Sequence, residues 1–176
     1  VSLTDSESGS HPDNPAFNGQ LYESQVYNGV GGALISKVIH TPKVVKTTAV
    51  RTRTGIPDLK AQIVRQTGST SYTAKASGGF LTSTTTTVYD PIEGRPLEVT
   101  TSASGAKANC VKTEYADNTS NWVKDVATTI YTYETTCPTT ATPNPVLLSA
   151  TRTYYDGSTT LGSVTKGMIT RSQTAT

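Results

Sequence analysis

The residues that could do chemistry are few and widely spaced in this chain of 176 residues. The two histidines, His11 and His40, have no second ligand at a metal spacing such as HxxxH, and no CxxC is present. His11 falls in Ser10-His11-Pro12-Asp13-Asn14-Pro15 and is expected as an exposed loop residue; His40 is expected on a strand just before Pro42. Asp58 with Glu23, or Glu98 with Glu114, would make a glycosidase pair only if held about 5 to 9 Å apart. Isolated acids on alternating strands usually face solvent instead. The 34 threonines and 17 serines are too common for one to mark a nucleophile, and Gly-x-Ser-x-Gly is absent. Gly29-Val30-Gly31-Gly32 lacks the following helix that a phosphate loop needs, and reads as a hairpin turn. The expectation is no catalytic residue, no metal and no cofactor, hence no enzyme.

Cys110 and Cys137 carry a different chemistry. With no CxxC and no adjacent histidine they read best as a disulfide, two buried thiols being the alternative, and a disulfide points to a secreted, extracellular protein. Closing a loop of roughly 28 residues would contribute on the order of 3 to 4 kcal/mol. If the two cysteines face one another in an antiparallel pair, Lys112 meets Thr135 and Glu114 meets Tyr133, around an ordered loop of about ten residues through Asn118 and Trp122. The chain opens on Val1-Ser2-Leu3-Thr4-Asp5-Ser6, without the basic and apolar regions of a signal peptide, and reads as a piece of something longer.

The elements that position these residues are strands. Hydrophobic residues are 34% and charged residues 16% of the chain, which predicts a thin core. No stretch of 18 apolar residues is present to span a bilayer as a helix. The net charge is +2, and the nearest basic cluster is Lys43, Lys46, Arg51 and Arg53. On an extended chain Lys43 and Lys46 fall on opposite faces and Arg51 and Arg53 on one, a solvated strand face rather than a nucleic-acid footprint. Residues 1–19 read as an irregular lead-in with two nearby prolines. From Leu21 onward the period is two and no amphipathic helix pattern exists, so the class is all-β. Strands are expected at Leu21 to Tyr27, Ala33 to His40, Val44 to Thr54, Ala61 to Gln66, Ser71 to Ala76 and Phe80 to Tyr89. Further strands are expected at Gly94 to Ser102, Asn109 to Tyr115, Val126 to Thr135, Val146 to Tyr155 and Val164 to Gln173. Thr41-Pro42 and Thr67-Gly68-Ser69 are expected breaks, and a helical turn is admitted only within Asn118 to Asp125.

One turn recurs. In Tyr89-Asp90-Pro91-Ile92-Glu93-Gly94-Arg95-Pro96-Leu97-Glu98-Val99, Asp caps the turn, Pro sets φ, and Gly accepts a positive φ where the chain re-enters the sheet. Tyr155-Asp156-Gly157 repeats the opening, Tyr115-Ala116-Asp117-Asn118 is a looser copy, and Tyr131-Thr132-Tyr133-Glu134 a degenerate one. The leading tyrosines 89, 115, 133 and 155 drift around a period of about 22, which suggests a repeat architecture. On these residues the chain resembles the RHS or YD-repeat family, whose motif is Tyr-Asp, two residues, Gly-Arg, Leu and then Ile or Val. Tyr89 to Val99 matches it with three residues before Gly94 and with Pro96 as an insertion between Arg95 and Leu97, and the copy at Tyr155 keeps Tyr-Asp without the Gly-Arg. Residues 80–176 carry the resemblance; residues 20–79 have strand signals without a clear motif. The resemblance implies antiparallel hairpins forming a curved sheet or shell section. It further implies a non-enzymatic wall in a secreted bacterial protein, its partners the rest of the parent repeat protein and an enclosed toxin or effector.

The aromatics support a rival. Nine tyrosines and Trp122 against two phenylalanines suggest rings that are half wet. Tyr131 and Tyr133 share a strand face. They could brace a threonine-rich sheet or, with Trp122, stack sugars in a secreted β-sandwich that binds carbohydrate or a cell-surface protein.

Overall fold

The computed structural model describes residues 2–176. It is all-β, with 58% of residues in strands and 3% helical. The strand pairs are antiparallel. Threonine and valine are the commonest strand residues, because branched side chains suit a pleated, half-buried surface. The chain forms two compact units: one runs to Gly94 and includes Ala103–Gly105, the other is Arg95–Ser102 with Ala106–Thr176.

In the first unit, strands β1 (Ser2–Thr4) and β2 (Ser10–Pro12) pair as a small hairpin, and a 3-10 turn follows at Pro15–Phe17. The lead-in expected to be irregular is therefore partly ordered. Asp5 makes it so, accepting from the backbone N–H groups of Glu7 (2.9 Å) and Gly9 (2.8 Å) to close the turn between the strands. A meander comes next: β3 (Glu23–Tyr27), β4 (Leu34–Arg51), β5 (Leu59–Ala74) and β6 (Phe80–Tyr89). The Asn28-Gly29 turn joins β3 to β4 as expected, with Asn28 N–H donating to Ala33 O at 2.9 Å.

Two expected breaks are not breaks. β4 runs through Pro42 and β5 through Gly68, so four expected strands are two long ones. The breakers lie beside each other: Thr41 pairs with Gly68, then the register slips and Pro42 pairs with Gln66. A bulge and a position past the last β3 pair (Glu23 with Ile39) are places where a strand tolerates proline. A second bulge at Val45 puts Lys43 opposite Arg65 and Lys46 opposite Ile63, hence on one face rather than on two. Arg51 ends β4, and Arg53 lies in the following turn with its guanidinium on Pro57 O, so these two do not form a strand face.

The second unit is a meander of β7 (Pro96–Ala103, its last residue belonging to the first unit), β8 (Asn109–Asn118), β9 (Val123–Glu134), β10 (Leu147–Tyr155) and β11 (Ile169–Ala175). Thr119–Asn121 is the helical turn foreseen near Trp122. Cys110 and Cys137 form a disulfide, Cα to Cα 5.2 Å. Their expected register is corrected by four residues: Cys110 faces Tyr133, Lys112 faces Tyr131 and Glu114 faces Thr129. Cys137 lies beyond β9, where Thr135 takes a positive φ of 72° and its N–H donates to Ala108 O. The chain folds back over the end of β8 instead of continuing along it. The hairpin loop is short, Asn118 pairing with Val123.

The core is thin, as the composition predicts. Buried apolar or sulfur-bearing side chains are Phe17 and Ile39 in the first unit and Cys110, Cys137, Tyr154, Tyr155 and Val164 in the second, beside buried Thr128 and Thr129.

Candidate functional site

The Tyr-Asp turns are the sites that the sequence singled out, and their geometry follows from ordinary turn chemistry. At the end of β6, Asp90 Oδ1 accepts from the N–H of Ile92 (2.7 Å) and Glu93 (3.4 Å), and Gly94 N–H donates to Asp90 O at 2.8 Å. Gly94 has φ 72° and lies against Ile63 and Val45, where a Cβ would come within 3.3 Å of Ile63 Cγ2. Both its conformation and its lack of a side chain are used. At the end of β10, Asp156 itself takes a positive φ (55°), followed by Gly157 (74°). Its Oδ2 accepts from the N–H of Thr165 (2.6 Å), Lys166 (2.8 Å) and Gly167 (3.2 Å), and its Oδ1 from Met168 (3.0 Å). Those backbone donors hold the Asp156 carboxyl far below the usual carboxylate range. The segment 164–168, expected as the start of a strand, is the far side of this loop.

The leading tyrosines share one contact. The Tyr89 hydroxyl donates to Gln66 O (3.0 Å), Tyr115 to Pro96 O (2.8 Å) and Tyr155 to Ala127 O (2.6 Å), each acceptor lying on the preceding strand. Burial pushes the Tyr115 and Tyr155 phenols above their ordinary value. The degenerate copy differs: Tyr133 stacks on Tyr131 with centroids 6.0 Å apart.

Arg95, of the Gly-Arg pair, reaches the aspartate of the next copy. Its Nη1 is 2.7 Å from Asp117 Oδ1 and 3.2 Å from Asp125 Oδ1, and its guanidinium lies 4.6 Å from the centroid of the Tyr115 ring. Arg95 is the main reason that the Asp117 carboxyl is held below its ordinary value. Sequence reasoning missed this link, although the Asp two residues after Tyr115 in the looser copy was its signal.

The other candidates are dispersed. Trp122 is 83% exposed in a left-handed conformation at the β8–β9 turn. Tyr131 lies nine positions further along the chain, about 30 Å at a strand's rise, so the three aromatics do not form one platform. Asn118, first residue of the sequon Asn118-Thr119-Ser120, spends its side chain on Asn121 N and Val164 O. Glu23 pairs opposite Ile39, and Asp58 lies beyond the end of β4, roughly 40 Å along the strand, so they form no glycosidase pair. Glu98 and Glu114 are the exception to this dispersal: Glu98 pairs with Lys112 (3.9 Å), and Glu114, two residues further along β8, lies on the same face, where it accepts from the Tyr131 hydroxyl at 3.4 Å.

His11 is a correction: it is buried, its Nε2 2.7 Å from the equally buried Asp5 Oδ2 and its ring 4.7 Å from the Tyr22 ring. His11 is the first cause, and the Gly9 N–H the next, of an Asp5 carboxyl held below its usual range. Beside it Lys37, also buried, donates to Glu7 and to Ser6 Oγ, while Ser6 donates to Glu23. A serine 2.7 Å from a lysine invites comparison with a Ser–Lys nucleophile, but Glu7 raises the Lys37 pKa and keeps the amine protonated. The cluster is an anchor for the lead-in hairpin. An open groove of about 610 Å³ on the first unit is lined by Thr41, Thr70, Thr84, Thr86, Tyr89 and Lys43 among others, with hydroxyls and no carboxylate to act as acid or base. Among the described residues no three of His, Cys, Asp or Glu come together at a metal-binding distance.

Together these features define an antiparallel β-meander protein whose marked residues are engaged in turns and ties. Among families of known proteins no model matches the chain, and no curated protein matches it.

Proposed function

We propose that this chain is a non-enzymatic section of an RHS/YD-repeat wall, a part of a secreted bacterial protein that encloses or presents a toxin or effector. The observation that carries the reading is the link from Arg95 of one Tyr-Asp copy to Asp117 of the next. A copy that is completed by its successor has the logic of a repeat array, in which each unit is stabilised by its neighbours. The tyrosine ties back to the preceding strand support the same reading. The test is the parent protein: its sequence on both sides of this chain should continue with Tyr-Asp-spacer-Gly-Arg copies, and electron microscopy of the purified protein should show a hollow particle with internal density. Flanks without such copies, or a solid particle, would reject the wall. A second reading, a module that binds glycan or a cell-surface protein, rests on the exposed Trp122. Trp122→Ala abolishing binding on a glycan array would support it, and an array without hits would remove it.

A further inference from the structure

The outer half of the β4–β5 hairpin extends past the strands that flank its inner half, and Asn14, Pro15 and Ala16 of the lead-in line a groove beside Arg53 and residues 57–60. β3 pairs with β4 no further than Ile39, and β6 pairs with β5 only from Gly68 to Ala74. The Asp90–Gly94 turn covers Val45 and Ile63, with Lys46 and Arg65 donating to Ile92 O and Gly94 O. Beyond it the two strands pair only with one another, Thr47 with Gln62 through Arg51 with Leu59, and all 15 residues from 47 to 61 are exposed. Three are large aliphatics, Val50 at 53%, Ile56 at 56% and Leu59 at 57% exposure, with Ile56 in the turn at the tip. The same 15 residues hold three cations, Arg51, Arg53 and Lys60, against one acid, Asp58. That excess of two equals the net charge of the whole chain, so the remaining residues balance and the charge asymmetry lies in this arm.

We infer that residues 47–61 form a docking surface for an anionic lipid bilayer. Ile56 at the turn tip, with Val50 and Leu59 behind it on opposite faces of the hairpin, each beside a cation of the partner strand (Lys60 and Arg51), matches the boundary between acyl chains and negatively charged headgroups for a tip that enters end-on. The alternatives fit less well. A second copy would bring like charge against like charge. A nucleic acid would leave the aliphatics unused and find no aromatic in the arm for base stacking. The arm lies at the interface and does not span, because a two-stranded hairpin has unpaired backbone edges that the hydrocarbon core does not tolerate.

The test is sedimentation of the chain with vesicles of phosphatidylcholine alone and of phosphatidylcholine with 30% phosphatidylglycerol. Binding is expected to the second and not the first, and to weaken with salt. Each cation near such a surface strengthens association about fivefold, so Arg51→Glu with Lys60→Glu should weaken it by at least about 25-fold. Ile56→Ser keeps the charge and should weaken it about tenfold. Equal circular dichroism of the variants and parent shows that the fold is kept, since these side chains are exposed. A further measurement uses Ile56→Trp with Trp122→Phe, which leaves one tryptophan at the tip; its emission should shift to the blue on anionic vesicles. Equal binding to both vesicles, no effect of Ile56→Ser, no blue shift at position 56, or binding to heparin but not to anionic vesicles would each overturn the inference.

Discussion

The two Tyr-Asp turns open alike and close differently. After Tyr89, Asp90 caps amides two and three residues ahead, and Gly94 completes the turn by pressing against Ile63. After Tyr155, Asp156 gathers amides nine to twelve residues ahead, and the glycine that follows it meets nothing within 4 Å. A short carboxylate at a strand exit is common to both, because exposed amides are waiting there for an acceptor. What closes the turn is not shared: packing of a glycine in the first unit, one carboxylate in the second. The motif thus specifies where a strand ends, and leaves the length of the connection to other residues.

The largest contrast between the units is covalent. The disulfide lies in the second unit, where it closes the segment from Cys110 to Cys137, a separation of 27 residues. Replacing both cysteines by serine should cost that unit about 3 to 4 kcal/mol. Hydrogen exchange should then quicken in β8 and β9 and stay unchanged in β4 and β5. Equal acceleration in both units would mean that their stabilities are not separable.

Gly94 and Gly157 sharpen the comparison of the turns. Alanine at Gly157 meets only the cost of a left-handed conformation, about 1 to 2 kcal/mol. Alanine at Gly94 has the same φ penalty and must also displace Ile63, so its cost should exceed about 2 kcal/mol. Chemical denaturation of the two variants measures the order; equal costs would show that Ile63 gives way freely.

Much of this arrangement was legible beforehand, and the failures have specific causes. The period of two and the β-branched residues place most of the strands, and Asp90 and Gly94 play the roles that their types announce. Pro42 and Gly68 mislead because each is a breaker alone, whereas side by side they share one irregularity in a continuous ladder. The cysteine register fails because Cys137 has already left its strand. The reach of Asp156 to residues 165–168 has no sequence signal, since its partners are backbone amides that any residues but proline would supply. The burial of His11 depends on a turn closed by Asp5, which has no strand-period signature, and on the Tyr22 ring, whose place in a period-two pattern does not say what it packs against.

Acid should separate the two turns next. Asp156 titrates lower when folded than when unfolded, so its stabilisation is complete above the ordinary aspartate pKa of about 3.9 and is lost as pH falls toward the folded value. Amides of Thr165 to Met168 should stay protected to a pH below the usual carboxylate range and then exchange faster. In Asp156→Ala they should exchange fast at every pH, while those of Ile92 to Gly94 keep their parent rates. Slow exchange at Thr165 to Met168 in Asp156→Ala would show that the loop is held by something other than this carboxylate.

The smallest expected difference is between the two tyrosine hydroxyls. Tyr155 is 5% exposed and its hydroxyl donates to Ala127 O at 2.6 Å. Phenylalanine there leaves a carbonyl without its donor where water has little access, a cost of about 1 to 1.5 kcal/mol. The Tyr89 bond to Gln66 O is longer, 3.0 Å, and in an exposed setting where water replaces the lost donor, so Tyr89→Phe should cost only about 0.5 kcal/mol. The sign of the difference matters more than its size. If Tyr89→Phe proved the costlier change, the ties would draw their strength from their place in the repeat rather than from burial, and the resemblance between the two turns would extend further than their closures suggest.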